Sequence, residues 1–137
     1  MNCKDLMIGD YVKYNGVTKI VDAVYLYSVS VYDPGKPWGV ASSELISVDD
    51  IEPIKLTEDI LVKNGFVYCE AEETCATNAY HHWQLDGEYL ALDDFQYWRK
   101  EKKDDLPRFR IAGIDVNYVH QLQHLLRLCG VEKELTI

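Results

Sequence analysis

Only one stretch of this sequence carries a start signal, a steady period and a stop signal together: residues 117–130, NYVHQLQHLLRLCG. Asn117 is a good helix cap, since its side-chain oxygen can accept from orphan N–H groups of a first turn. Tyr118, Val119, Leu122, Leu125, Leu126 and Cys129 then recur at intervals of three and four, which puts them on one face of a helix. Gly130 suits the left-handed residue that ends many helices, and Val131 is the apolar residue that folds back on Leu126 in such a stop. The spacing therefore predicts an amphipathic C-terminal helix against which a largely β structure packs. His120, Gln123, His124 and Arg127 fall on its opposite face.

Two histidines four residues apart on a helix can share a zinc ion, and H-E-x-x-H is the metalloprotease form of that arrangement. Here the string is His120-Gln121-Leu122-Gln123-His124. Gln121 stands where the general base belongs, and an amide cannot take the proton of metal-bound water. The pair also lies away from the apolar stripe, whereas a zinc site needs shielding and a third ligand. His120 and His124 are the sole metal candidates, and they read as solvated side chains with no metal, no cofactor and no catalytic role. Leu128, beside this polar face, reads as a contact for another element or a partner.

The chain in order begins with alternation through Tyr11-Val12-Lys13-Tyr14, closed by Asn15-Gly16, the strongest short hairpin signal. Val17 to Tyr27 reads as a strand and Val29 to Tyr32 as another. Shorter strands are expected within Ala41 to Val48 and over Ile51 to Leu56. Thr57 caps a short helix with Glu58 and Asp59 at its positive end, and Gly65-Phe66 stops it. Phe66 to Cys69, Ala76 to Leu85 and Glu88 to Leu92 read as β, with Asp86-Gly87 as a turn. Tyr97-Trp98 and Phe109 to Ile111 are further strand candidates, and Val131 to Ile137 returns as an edge strand. The class is α+β: a small N-terminal β-barrel-like lobe of Src-homology type, a short connecting helix, antiparallel hairpins and one C-terminal amphipathic helix. Residues 1–56 form the first lobe and residues 57–137 the second, within one compact unit.

Length and charge narrow the function classes. A chain of 137 residues can hold a core without disulfide staples, and its four cysteines show no C-x-x-C pairing. Cys69 and Cys75, followed by His81 and His82, match no compact zinc knuckle. No apolar run approaches the ~20 residues of a membrane span, and no basic-then-apolar leader opens the chain, so a cytoplasmic location is expected. The net charge of −9 repels phosphate backbones, which argues against general nucleic-acid binding. Residues 99–110 hold six basic residues, Arg99, Lys100, Lys102, Lys103, Arg108 and Arg110, against three acidic ones, leaving −12 for the rest. That run is a solvated loop or a docking patch for an acidic partner or for a second copy of the chain.

The chain is similar to a known group at three places. Asp5 to Val12, Ile51 to Thr57 with Lys63 to Phe66, and Tyr118 to His124 with Leu126 to Gly130 resemble a family of short bacterial proteins common in gut anaerobes and their phage and mobile elements. The resemblance covers both ends and the middle but not 69–105. It implies an accessory role in such elements and lends no established activity. Members often have glutamate where Gln121 stands.

No glycine-rich phosphate loop and no Gly-x-Ser-x-Gly elbow occurs. The expected function is therefore a non-enzymatic protein-interaction or accessory protein with an unidentified protein partner. Its contact residues would be Trp83, Tyr89, Tyr97, Trp98, Arg99, Lys100, Lys102, Lys103 and Leu128. Two alternatives stand beside it, an acidic nucleic-acid mimic and a metal-dependent hydrolase using His120 and His124.

Overall fold

The computed structural model describes residues 1–35, 43–69, 81–85, 90–94 and 108–137. The chain divides into two compact units, and the boundary passes through the C-terminal helix. The first unit holds residues 1–55 and 118–124, and the second holds 56–117 and 125–137.

The first unit is an antiparallel meander of β1 (Tyr11–Tyr14), β2 (Val17–Val24), β3 (Ser28–Tyr32), β4 (Glu44–Ser47) and β5 (Ile51–Pro53). Its strand order is β4-β3-β2-β1-β5, so the last strand returns beside the first. That roll is the expected arrangement, although the described ladder does not close into a barrel. Asn15 and Gly16 have φ of 50° and 76°, the two positive values that a twist-matched two-residue hairpin needs. Val12, Val21, Val29, Val31, Ile46 and Ile51 form the core with Cys3, Leu6 and Val48. Each buried valine contributes roughly 1.5–3 kcal/mol over an exposed one.

In the first unit β5 ends at Pro53, short of the strand expected to Leu56, and β2 is also shorter than the sequence reading. β2 stops at Val24, and Tyr25 to Tyr27 form an exposed connection to β3 instead of more strand. A bulge between Val21 and Ala23 shifts the register just before it.

The second unit opens with α1 (Glu58–Lys63), capped by Thr57, whose hydroxyl accepts from the Ile60 amide at 3.4 Å. A second antiparallel sheet follows in the order β10-β9-β8-β7-β6. Its strands are β6 (Phe66–Cys69), β7 (His82–Leu85), β8 (Ala91–Asp94), β9 (Phe109–Ile111) and β10 (Ile114–Val116). Ala112 and Gly113 make the β9–β10 turn at φ of 48° and 80°, so the chain doubles back into one more strand than the sequence suggested.

The expected edge strand at 131–137 does not form. Leu135 is buried instead, and Asn64 clasps the main chain of Thr136 from both sides. Its Nδ2 donates to the Thr136 carbonyl at 2.8 Å, and its Oδ1 accepts from the Thr136 amide at 2.7 Å.

The terminal helix, α2, spans Val119–Leu128 and stops as expected. Gly130 has φ of 72°, and the Val131 amide reaches the Leu126 carbonyl at 2.8 Å. Its start differs from the expectation, because Tyr118 rather than Asn117 directly precedes it. The Gln121 side chain folds back to accept from the Tyr118 amide at 3.2 Å, one half of a capping box. Cys129 is exposed, not packed among the leucines. Among the described residues no helix is long and apolar enough to cross a membrane.

Candidate functional site

The histidine face of α2 is the largest correction. His120 and Gln123 are buried, at 4% and 8% exposure, where solvated side chains were expected. The cause lies at the start of the chain. Gly9, at φ of 92°, lets residues 7–10 turn sharply, and the Asp10 carboxylate closes that turn by accepting from the Met7 amide at 2.7 Å. The same oxygen accepts from His124 Nε2 at 2.7 Å. Gln123 reads the adjoining backbone at both ends: its Oε1 accepts from the Tyr11 amide, and its Nε2 donates to the Gly9 carbonyl, each at 2.9 Å. The helix face is thus polar because it meets main-chain groups and a carboxylate that need partners.

This arrangement fixes what the two histidines can do. With Nε2 committed to Asp10, His124 is oriented by a buried carboxylate. His120 stacks on Tyr118 and meets His124 edge-on, with ring centroids 5.8 Å apart in each case. Its Nδ1 is buried without a hydrogen-bond partner. Burial holds the His120 pKa below the ordinary value, and the neighbouring His124 adds to this, while Asp10 and Asp5 oppose it. Among the described residues no three His, Cys, Asp or Glu side chains converge to hold a metal ion.

Of the expected contact residues, Trp83 and Leu128 lie among the described residues. Trp83 is buried in the second unit, and its indole N–H donates to Asp94 Oδ2 at 3.0 Å. Asp94, fully buried, also receives Arg108 through two bonds, Nε to Oδ1 at 3.0 Å and Nη2 to Oδ2 at 2.9 Å. Arg108 reaches Glu58 as well. Burial alone would lower the Arg108 pKa, and the two carboxylates outweigh it and raise it. Leu128 is exposed at 82% at the end of α2. Tyr89, Tyr97, Trp98, Arg99, Lys100, Lys102 and Lys103 lie outside the described residues.

A different apolar surface appears in the first unit. Tyr25, Leu26 and Tyr27 are exposed at 55%, 74% and 76%, and Leu45 on the edge strand β4 at 67%. They are nevertheless held in place. The Tyr25 amide donates to the Ser28 carbonyl at 2.8 Å, and the Tyr27 carbonyl accepts from the Val48 amide at 3.0 Å. The second bond ties the connection to the 3-10 turn Val48–Asp50, which brings the exposed Asp49 and Asp50 beside it. An aromatic, β-rich run looks alike inside a strand and just beyond its end, so the sequence does not mark this segment. Comparison of the chain with family models, with curated proteins and with solved structures returned no match.

Proposed function

We propose that this chain is a non-enzymatic protein-binding module that docks its partner on the Tyr25–Tyr27 connection and the adjoining strand β4. The observation that carries this reading is three consecutive large apolar side chains, exposed yet anchored at both ends by backbone hydrogen bonds. Contiguous exposed apolar surface of this kind marks contact sites, and tyrosines give contact area at low entropic cost. Asp49 and Asp50 flank it, so the matching partner is a segment that pairs apolar residues with lysine or arginine.

The test is a fluorescence-anisotropy titration with a labelled peptide of alternating leucine and lysine, and with an acidic peptide of the same length and leucine content. The basic peptide binds, and Leu26→Ser with Tyr27→Ser weakens it by roughly tenfold or more while the thermal melt is kept. Equal binding of the two peptides, or equal binding by wild type and variant, overturns the reading. So does sedimentation showing that the surface is occupied by a second copy of the chain.

A further inference from the structure

The two edges of the first sheet are finished differently. At one edge, β5 ends in Pro53, which offers no amide to a further strand. The carbonyl of the next residue, Ile54, is taken by the Val119 amide at 2.8 Å. At the other edge, β4 pairs with β3 alone among the described residues. Its sequence, Glu44-Leu45-Ile46-Ser47, has neither the proline nor the lysine that often blunts an exposed edge, and its ladder runs without a bulge.

The ladder also fixes which main-chain groups face outward. The Val48 amide donates to the Tyr27 carbonyl, one step beyond the Ser28–Ser47 pair of β3 and β4. Opposed residues of an antiparallel pair alternate between those that exchange hydrogen bonds and those that do not. Ile46 and Glu44, two and four positions before Val48, therefore spend their main-chain groups on β3. Leu45 and Ser47 direct theirs away from it. The Ser28 carbonyl agrees with this phase, since it accepts from the Tyr25 amide on the β2 side. The side chains add to the pattern: Leu45 is exposed and Ile46 buried, while Glu44, Asp49 and Asp50 are exposed and acidic.

We propose that the partner segment adds to β4 as a sixth, extended strand, with an apolar residue opposite Leu45 and a lysine or arginine opposite Glu44. The added strand presupposes the docking surface proposed above and specifies how its occupant lies there. Main-chain bonds to Leu45 and Ser47 supply the contact that is independent of sequence. Directly opposed side chains, with Cβ atoms about 4.5–5.5 Å apart, supply the selection. Leu45 and Glu44 point to opposite faces, as neighbours in a strand do, so the matching segment alternates apolar with basic residues. Asp49 and Asp50, just past the end of β4, extend the acidic margin that attracts it. The Tyr27–Val48 bond sets the Tyr25–Tyr27 connection at the Ser47 end of β4, so one segment can meet both.

Two measurements on the full chain with the leucine–lysine peptide test it. In the first, amide hydrogen exchange is followed residue by residue by NMR, with and without the peptide. Exchange at Leu45 and Ser47 slows by roughly tenfold or more on binding, while Glu44 and Ile46, already bonded to β3, change little. In the second, peptides N-methylated at alternate residues are titrated by anisotropy. One alternate set loses binding by roughly tenfold or more and the other keeps it, because only every second residue of an added strand turns its main chain to β4. Equal binding by both methylated sets, or unchanged exchange at Leu45 and Ser47, overturns the added strand. The docking surface survives that result if the unmodified peptide still binds. An unmodified peptide that does not bind overturns both. Protection of Leu45 and Ser47 that rises with the concentration of the chain alone means that a second copy fills the edge, which also overturns the proposal.

Discussion

Asp10 and His124 share a 2.7 Å hydrogen bond across 114 positions of sequence, and the carboxylate end of that bond is fully buried. Asp10 has to satisfy the Met7 amide with the same oxygen, so its loss strands two donors at once. Removing one partner of a buried polar pair costs more than the pair itself contributes. Asp10→Ala is expected to lower unfolding stability by about 2–4 kcal/mol. His124→Gln, at a position partly open to water, should cost less. Urea denaturation of both variants checks the order, and an Asp10→Ala midpoint equal to wild type would refute this account.

His120 gives a pH dependence whose sign follows from burial. Its pKa in the folded chain lies below the unfolded value of about 6.5, so between the two the unfolded chain holds more protons. Stability from this group is whole above about pH 6.5 and is lost as pH falls toward the folded-state value. The ionisable groups around it are Asp10, Asp5 and His124. His120→Phe keeps a ring against Tyr118 and removes the unpartnered Nδ1. That variant should show a flatter stability profile between about pH 7.5 and 5.5, measured by urea midpoints. An unchanged slope would locate the dependence in another group.

In the second unit, Arg108 forms an ion pair with the fully buried Asp94. Arg108→Ala removes both of its bonds to that buried carboxylate, at an expected cost of about 3–5 kcal/mol. Arg108→Lys should recover only part of this, because a lysine cannot reproduce the two-pronged contact. Chemical denaturation of the two variants separates lost charge from lost geometry: equal stability would show that charge alone matters.

Ala112 sits at φ of 48°, in the left-handed region that costs an L-residue roughly 1–2 kcal/mol. Glycine avoids that cost and gives back part of the gain as unfolded-chain entropy. Ala112→Gly is expected to raise stability by up to about 1 kcal/mol, seen as a higher urea midpoint. A lower midpoint would mean that the alanine methyl packs to advantage.

What the sequence made legible was local. The Asn15-Gly16 turn, the Thr57 cap and the Gly130 stop each depend on a few neighbouring residues, and each lies where the residue chemistry places it. The burial of His120 and Gln123 depends on a turn at Gly9-Asp10 more than a hundred positions away, which no helical period can announce. Trp83 looked like a surface anchor for the same reason, since its partner Asp94 belongs to the neighbouring strand.

The clasp between Asn64 and Thr136 shows where evolutionary freedom lies at the end of the chain. Asn64 holds only the amide and carbonyl of its target, as a neighbouring strand would, and spends its second amide hydrogen on the Ile60 carbonyl at 2.7 Å. The grip on the tail therefore depends on the side chain at 64 and not on the one at 136. Most side chains are interchangeable at 136, proline excepted for want of an N–H, whereas position 64 admits almost no substitute for asparagine.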